Sequence, residues 1–287
     1  MKLGISSYCL SRLIRAKEMT LPDVVEWAAK QGARHVEIVP DGNELIDHPE
    51  RVEAIRSQAQ QSGIEISNYA ITANFITEDH AGRDREITRV MREVDIANQL
   101  GAKRMRHDVA VRPIGESSIV QFYKDLPGLA DACAIIADYA AQYGITTSVE
   151  NHGYYVQGSE RVQSLVAATN RPNFRTTLDI GNFMCADENS ATAVKRNIGL
   201  ASMIHLKDFY LRPSYRNPGE GWFKTIAGNY LRGAIVGQGD IDMWEVLRII
   251  KASKYDGYIS IEFEGLEECR SGTKIAFENA LRIWNEI

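Results

Sequence analysis

Short runs of apolar and β-branched residues alternate along this chain with stretches whose apolar positions recur every three or four residues. Eight of the short runs read as strands: LGISSY (3–8), HVEIVP (35–40), IEISNY (64–69), RMRHDV (104–109), TTSVEN (146–151), RTTLDI (175–180), SMIHLKD (202–208) and YISIEFE (258–264). The stretches between them read as helices. LPDVVEWAAKQG (21–32) sets Val24, Val25, Ala28 and Ala29 at helical spacing, with Pro22 near its start and Gly32 as its stop. PERVEAIRSQAQQSG (49–63), DREITRVMREVDIANQLG (84–101) and DLPGLADACAIIADYAAQYG (125–144) repeat the plan, and two further helices are expected after Met243 and after Thr273. Strand and helix alternating in this way predict an α/β chain, a single (β/α)8 TIM barrel with residues 1–287 as one domain. An open doubly wound sheet is the rival. It would carry a glycine-rich phosphate loop after its first strand, and SSYCLSRL has no glycine.

Composition narrows the function classes. Apolar residues are 44% and charged residues 25%, ordinary for a globular chain long enough to bury its own core. The net charge of −5 argues against unspecific nucleic-acid binding. Cys9, Cys133, Cys185 and Cys269 are scattered, with no CxxC pair, which fits a reducing compartment and no disulfide framework. The N-terminus does not read as a signal peptide, and no apolar run is long enough to span a bilayer. A cytoplasmic protein with no membrane partner is the expectation. Self-association into a homo-oligomer stays open.

The strand ends carry the chemistry. In a barrel the active site lies at the C-terminal ends of the strands. Glu150 ends TTSVE, Asp179 ends RTTLD, His205 ends SMIH and Glu262 ends YISIE. Glu150 to Asp179 is 29 residues and Asp179 to His205 is 26, each about one strand–helix unit. His205 to Glu262 is 57, and the excess falls in 209–240, rich in Gly, Pro, Arg and aromatics, which reads as a long loop over the barrel mouth. Three carboxylates and an imidazole on one rim call for a cation. Such an oxygen-rich set suits one divalent metal ion, Mn²⁺, Mg²⁺, Co²⁺ or Zn²⁺, with positions left for a carbonyl and its neighbouring hydroxyl. The alternative is a private salt bridge at each strand end.

Other residues near the rim have two readings each. His152 either meets substrate oxygens or moves a proton, or else orients Glu150. His107 faces the cavity or is a satisfied core histidine. Glu37, mid-strand among apolar neighbours, joins a polar network under the metal or binds a substrate hydroxyl. Lys207 stabilises a developing oxyanion or pairs with barrel neighbours. Arg212, Arg216, Lys224 and Arg232 in the segment after strand seven either bind a phosphate or carboxylate of the substrate or are solvated. Trp222 and Phe223 offer an apolar wall there.

The strings SVENHG, TLDIGN, HLKDF and ISIEFEG, in this order and followed back to GQGDID (237–242), resemble the xylose-isomerase-like TIM-barrel superfamily of sugar isomerases and epimerases over essentially the whole chain. The resemblance implies metal ligands at Glu150, Asp179, His205 and Glu262. By analogy with its ketose 3-epimerases it makes Glu150 and Glu262 the catalytic acid/base pair. It implies a metal-dependent isomerase or epimerase, manganese among the candidate ions, working on a small keto sugar or polyol through an enediolate in carbohydrate metabolism. Those epimerases have histidine where this chain has Asn182, and arginine where it has Leu211 next to Arg212; both positions help hold substrate oxygens. The departure at Asn182 raises a second expectation, a lyase or dehydratase on a keto-polyol. A third is a non-catalytic sugar binder or partner-dependent subunit. A three-metal nuclease of the same superfamily is hard to build from six histidines.

Overall fold

The computed structural model describes residues 1–287 except Asn43. Its strands are β1 (Lys2–Ser6), β2 (His35–Ile38), β3 (Glu65–Ile71), β4 (Arg104–His107), β5 (Thr146–Glu150), β6 (Phe174–Asp179), β7 (Ala201–Leu206), β8 (Asp208–Arg212), β9 (Phe223–Lys224), β10 (Tyr230–Ala234) and β11 (Tyr258–Ile261). Strands β1 to β7 and β11 close into a parallel barrel in the order β1-β11-β7-β6-β5-β4-β3-β2. The expected (β/α)8 barrel is the observed fold.

Nine helices are described: α1 (Ser11–Arg15), α2 (Leu21–Lys30), α3 (Pro49–Ser62), α4 (His80–Leu100), α5 (Ile119–Ala141), α6 (Ser159–Thr169), α7 (Ser190–Asn197), α8 (Met243–Ala252) and α9 (Cys269–Glu286). Among the described residues, none is long and apolar enough to cross a membrane. Helix α2 starts as its sequence requires. Thr20 accepts from the Asp23 N–H, and Asp23 accepts from the Thr20 N–H, a reciprocal cap beside Pro22. Its buried stripe is Leu21, Val24, Val25 and Ala28. Gly63 and Gly101 take left-handed backbone after α3 and α4, closing each helix before the next strand.

The segment 209–240 is not a loop. Strand β10 pairs antiparallel with β8 and with β9, making a separate three-stranded sheet. Phe209, Leu231 and Phe223 pack from it on Cys185, Met184 and Tyr154 at the barrel rim. Asp208 accordingly opens β8 and does not end strand seven. Helix α5 also begins earlier than expected. Ser118 caps it by accepting from the Gln121 N–H, so Pro127 falls inside the helix instead of at its start.

Candidate metal centre and cavity

Register brings the strand-end side chains together. Asp179 stands directly beside His205 across β6 and β7, and Glu150 ends β5 beside Thr177. Glu262 lies one residue past β11, tied to the sheet by its N–H donating to the Leu206 carbonyl at 3.0 Å. Strands β5, β6, β7 and β11 thus deliver Glu150, Asp179, His205 and Glu262, all buried. One potential ligand atom from each lies within 4.8 Å of the others. His205 Nδ1 is 3.7 Å from Glu150 Oε2, 3.6 Å from Glu262 Oε1 and 4.0 Å from Asp179 Oδ2. These separations exceed a hydrogen bond. They match donors each about 2.1 Å from one ion, which stand roughly 3–4 Å apart. The four side chains therefore fit a divalent ion, and the shared-cation expectation agrees with the geometry better than four private salt bridges.

The remaining atoms of the set are held. Asp179 Oδ1 accepts from the N–H groups of Gly181 and Asn182, both at 2.8 Å, leaving Oδ2 turned toward the set. His205 Nε2 meets Glu37 Oε2 at 2.9 Å, and Asn68 donates to the same oxygen at 2.8 Å. Glu37 is fully buried and does not line the cavity. It lies under His205, so it belongs to the network below the site and not to a substrate subsite. Burial pushes the Glu37 carboxyl up, but His205 outweighs it and holds the group below the ordinary range.

Asn182 donates to Glu150 Oε1 at 2.9 Å and accepts from Lys207 Nζ at 3.3 Å. It too lies behind the ligands and does not line the cavity. Lys207 does line it; Nζ is 2.6 Å from Glu262 Oε2, 3.2 Å from Asp179 Oδ2 and 3.6 Å from Glu264 Oε2. Burial drives the Asp179 carboxyl up to about 7, against the pull of Lys207. Burial also opposes ionisation of Glu262, yet Lys207 and His205 overcome it and hold that carboxyl well below its usual value.

The cavity above the set has a volume of about 430 Å³ and is lined among others by Tyr8, Arg106, Asp108, His152, Lys207 and Glu264. His152 is half-exposed in it, with Nδ1 3.4 Å from Asp108 Oδ1. Burial lowers the His152 pKa, but Asp108 more than compensates and raises it. Two other sequence candidates do not reach the cavity. His107 is buried with its ring near Phe75 and Phe174 and its Nδ1 2.9 Å from the Asp108 carbonyl, and burial depresses its pKa to about 4. It is a core histidine. Arg212 pairs with Asp240 at 3.3 Å and stacks over Trp222, outside the cavity.

Sequence reasoning missed Arg106 and Asp108. Arg106 is buried in β4, with Nε 2.8 Å from Glu150 Oε2 and Nη2 3.3 Å from Asp108 Oδ1. The available signal was an arginine two residues before an aspartate at a strand end, with a cost of burial that demands anionic partners.

The chain is thus a closed parallel barrel with a buried Glu/Asp/His/Glu set at its C-terminal strand ends, an arrangement that fits a divalent ion. The chain belongs to the xylose isomerase-like TIM barrel family, whose model matches residues 25–282. A curated inosose dehydratase from Clostridium perfringens is 22% identical over 263 residues, covering 86% of this chain and 84% of that protein. An inosose dehydratase from Bacillus velezensis is 29% identical over 128 residues, 44% of this chain and 42% of that one. Among solved structures, the IOLI protein with a bound zinc atom superposes with TM-score 0.79 at 20% identity, covering 100% of this chain and 99% of that one. D-allulose 3-epimerase from Methylomonas sp. superposes with TM-score 0.73 at 16% identity, covering 99% and 98%.

Proposed function

We propose that this chain is a divalent-metal-dependent dehydratase acting on a small polyhydroxylated ketone, with Glu150, Asp179, His205 and Glu262 as the ion's ligands. A bound ion would supply Lewis acidity toward the ketone. The observation that carries the reading is the state of the proton-transfer groups. Glu150 accepts from Asn182 through one oxygen and faces Arg106 with the other; Glu262 meets Lys207 through Oε2. Both oxygens of Glu150 have a polar neighbour, and Glu262 keeps only Oε1, which faces His205 at 3.6 Å within the proposed ligand set. His152 is different: Nδ1 faces Asp108, and the half-exposed side chain lines the cavity.

His152 therefore acts as the proton carrier, oriented by Asp108. It takes the proton on the carbon next to the ketone. The released electron pair forms the new carbon–carbon double bond, and the β carbon–oxygen bond breaks. The imidazolium returns its proton to the departing hydroxyl, which leaves as water. Lys207 and Arg106 supply positive charge beside the site where the oxyanion develops. The inosose dehydratases among the relatives favour this outcome.

Epimerisation is the second reading. Glu150 and Glu262 both line the cavity, and that reading makes them the proton pair once Asn182 and Lys207 release an oxygen each. Incubating manganese-loaded protein in D₂O with keto sugars and keto-cyclitols separates the two. An unsaturated product with loss of water supports elimination. Solvent deuterium in a recovered ketone or its epimer, with no water lost, replaces dehydratase by epimerase.

A further inference from the structure

The cavity contains arginines and a lysine, and in a barrel of this type a substrate phosphate is commonly held by loops after the seventh and eighth strands. Each cation here already has a partner. Arg15 sits 2.6 Å from Asp41, and Arg89 lies 2.8 Å from Glu86 and 3.2 Å from Glu93. Arg106 lies between Glu150 and Asp108, and Lys207 among Glu262, Asp179 and Glu264. The wall carries four of these cations against six carboxylates, Asp41, Glu93, Asp108, Glu150, Glu262 and Glu264.

A backbone anion site after β10 is filled as well. The GQGDID run after β10 turns the N–H groups of Gly237, Gly239 and Ile241 to one point, the kind of nest that holds a phosphate. Asp208 occupies it, with Oδ2 2.9 Å from the Gly237 nitrogen and 3.0 Å from that of Gly239, and Oδ1 3.3 Å from that of Ile241. A Cβ on Gly239 would lie 2.1 Å from Asp208 Oδ1, so the glycine is what lets the carboxylate in. After the last barrel strand, Glu264 lines the cavity where a phosphate would need a donor. Arg212 and Arg232, on the sheet after β7, stack on Trp222 and do not line the cavity.

We infer that the substrate is an uncharged polyol ketone, and that the site rejects phosphate esters and ketones bearing a remote carboxylate. An added anion would meet cations that are all paired, with a surplus of carboxylates as well in the metal-free protein, and would have to break an internal ion pair to gain a cation. The inference rests on the proposed function for the ketone but is tested by binding alone. Isothermal calorimetry compares a six-carbon keto-cyclitol with its monophosphate ester, on metal-free and on manganese-loaded protein. The expected result is at least ten-fold tighter binding of the uncharged ketone in both forms. Equal or tighter binding of the ester in either form, or no binding of the uncharged ketone, overturns it. Asp41→Asn, which frees Arg15, should narrow the ratio several-fold, as should Glu264→Gln; ratios unchanged in both variants also count against it. Absence of elimination with normal binding of the ketone would sink the dehydratase reading and leave the charge preference intact.

Discussion

His205 Nε2 lies 2.9 Å from Glu37 Oε2, and this contact turns Nδ1 toward Glu150, Asp179 and Glu262. A carboxylate on the far nitrogen fixes the tautomer and ring plane and makes the near nitrogen a better donor. Glu37→Gln keeps the shape and removes the charge. Metal affinity measured by calorimetry should fall by about 10- to 100-fold, with the circular dichroism spectrum unchanged. Unchanged affinity would show that the ring is held by packing alone.

The four proposed ligands should bind metal and protons in competition. In the metal-free protein burial raises Asp179 to about 7, and Glu37 and Glu262, against burial, lift His205 well above its ordinary value. Groups with raised folded-state values favour the folded chain fully only below their unfolded values, about 4 for Asp and 6.5 for His. That contribution fades as pH rises through the folded values. Metal needs both groups deprotonated, so affinity rises over the same window. The gap in Tm between metal-loaded and metal-free protein should therefore widen from pH 6 to pH 8. A gap that narrows would mean the ion sits elsewhere.

Asp108 controls His152 in the proposed elimination. Its carboxylate faces Nδ1 at 3.4 Å and raises the imidazole's pKa against burial. Asp108→Asn removes that support. The rate of water loss should fall by about 10²- to 10⁴-fold, and the pH–rate limb assigned to His152 should move to lower pH. Metal affinity should change far less, because neither residue belongs to the proposed ligand set. If the profile stays in place while the rate falls, Asp108 acts on substrate position and not on the imidazole.

The barrel and the four side chains that gather at its rim were legible for one reason. A strand repeats every two residues, so a polar side chain ending an apolar run announces itself against its neighbours, as Glu150, Asp179 and His205 do. Partners brought in from other strands leave no such mark. Nothing local links Glu37 to His205, which are 168 residues apart. Helix α7 escaped notice because its eight residues bury few apolar side chains, Ala193 and Val194 among them. The sheet of β8, β9 and β10 was hidden because glycines and prolines in 209–240 mark hairpin turns as readily as loops. Arg212 looked available for substrate because Asp240, its partner, lies 28 residues away.

Opposite the chemical end, Gly4 allows β1 to pass against His35. A Cβ there would lie 2.2 Å from the His35 carbonyl and 2.4 Å from its ring. The ring cannot swing aside freely, because Nε2 is 3.1 Å from both the Lys2 and Ile259 carbonyls, tying β2 to β1 and β11. Burial holds this histidine neutral, near pKa 4, so at neutral pH the contacts do not depend on its charge. Gly4→Ala forces either the strands apart or the ring off its acceptors, an overpacking cost of about 1–3 kcal/mol. The expected outcome is a lower midpoint in urea unfolding with metal affinity close to that of the parent, since the barrel bottom serves stability and the top serves chemistry. A variant as stable as the parent would show that β1 and β2 can separate by the needed distance at no cost.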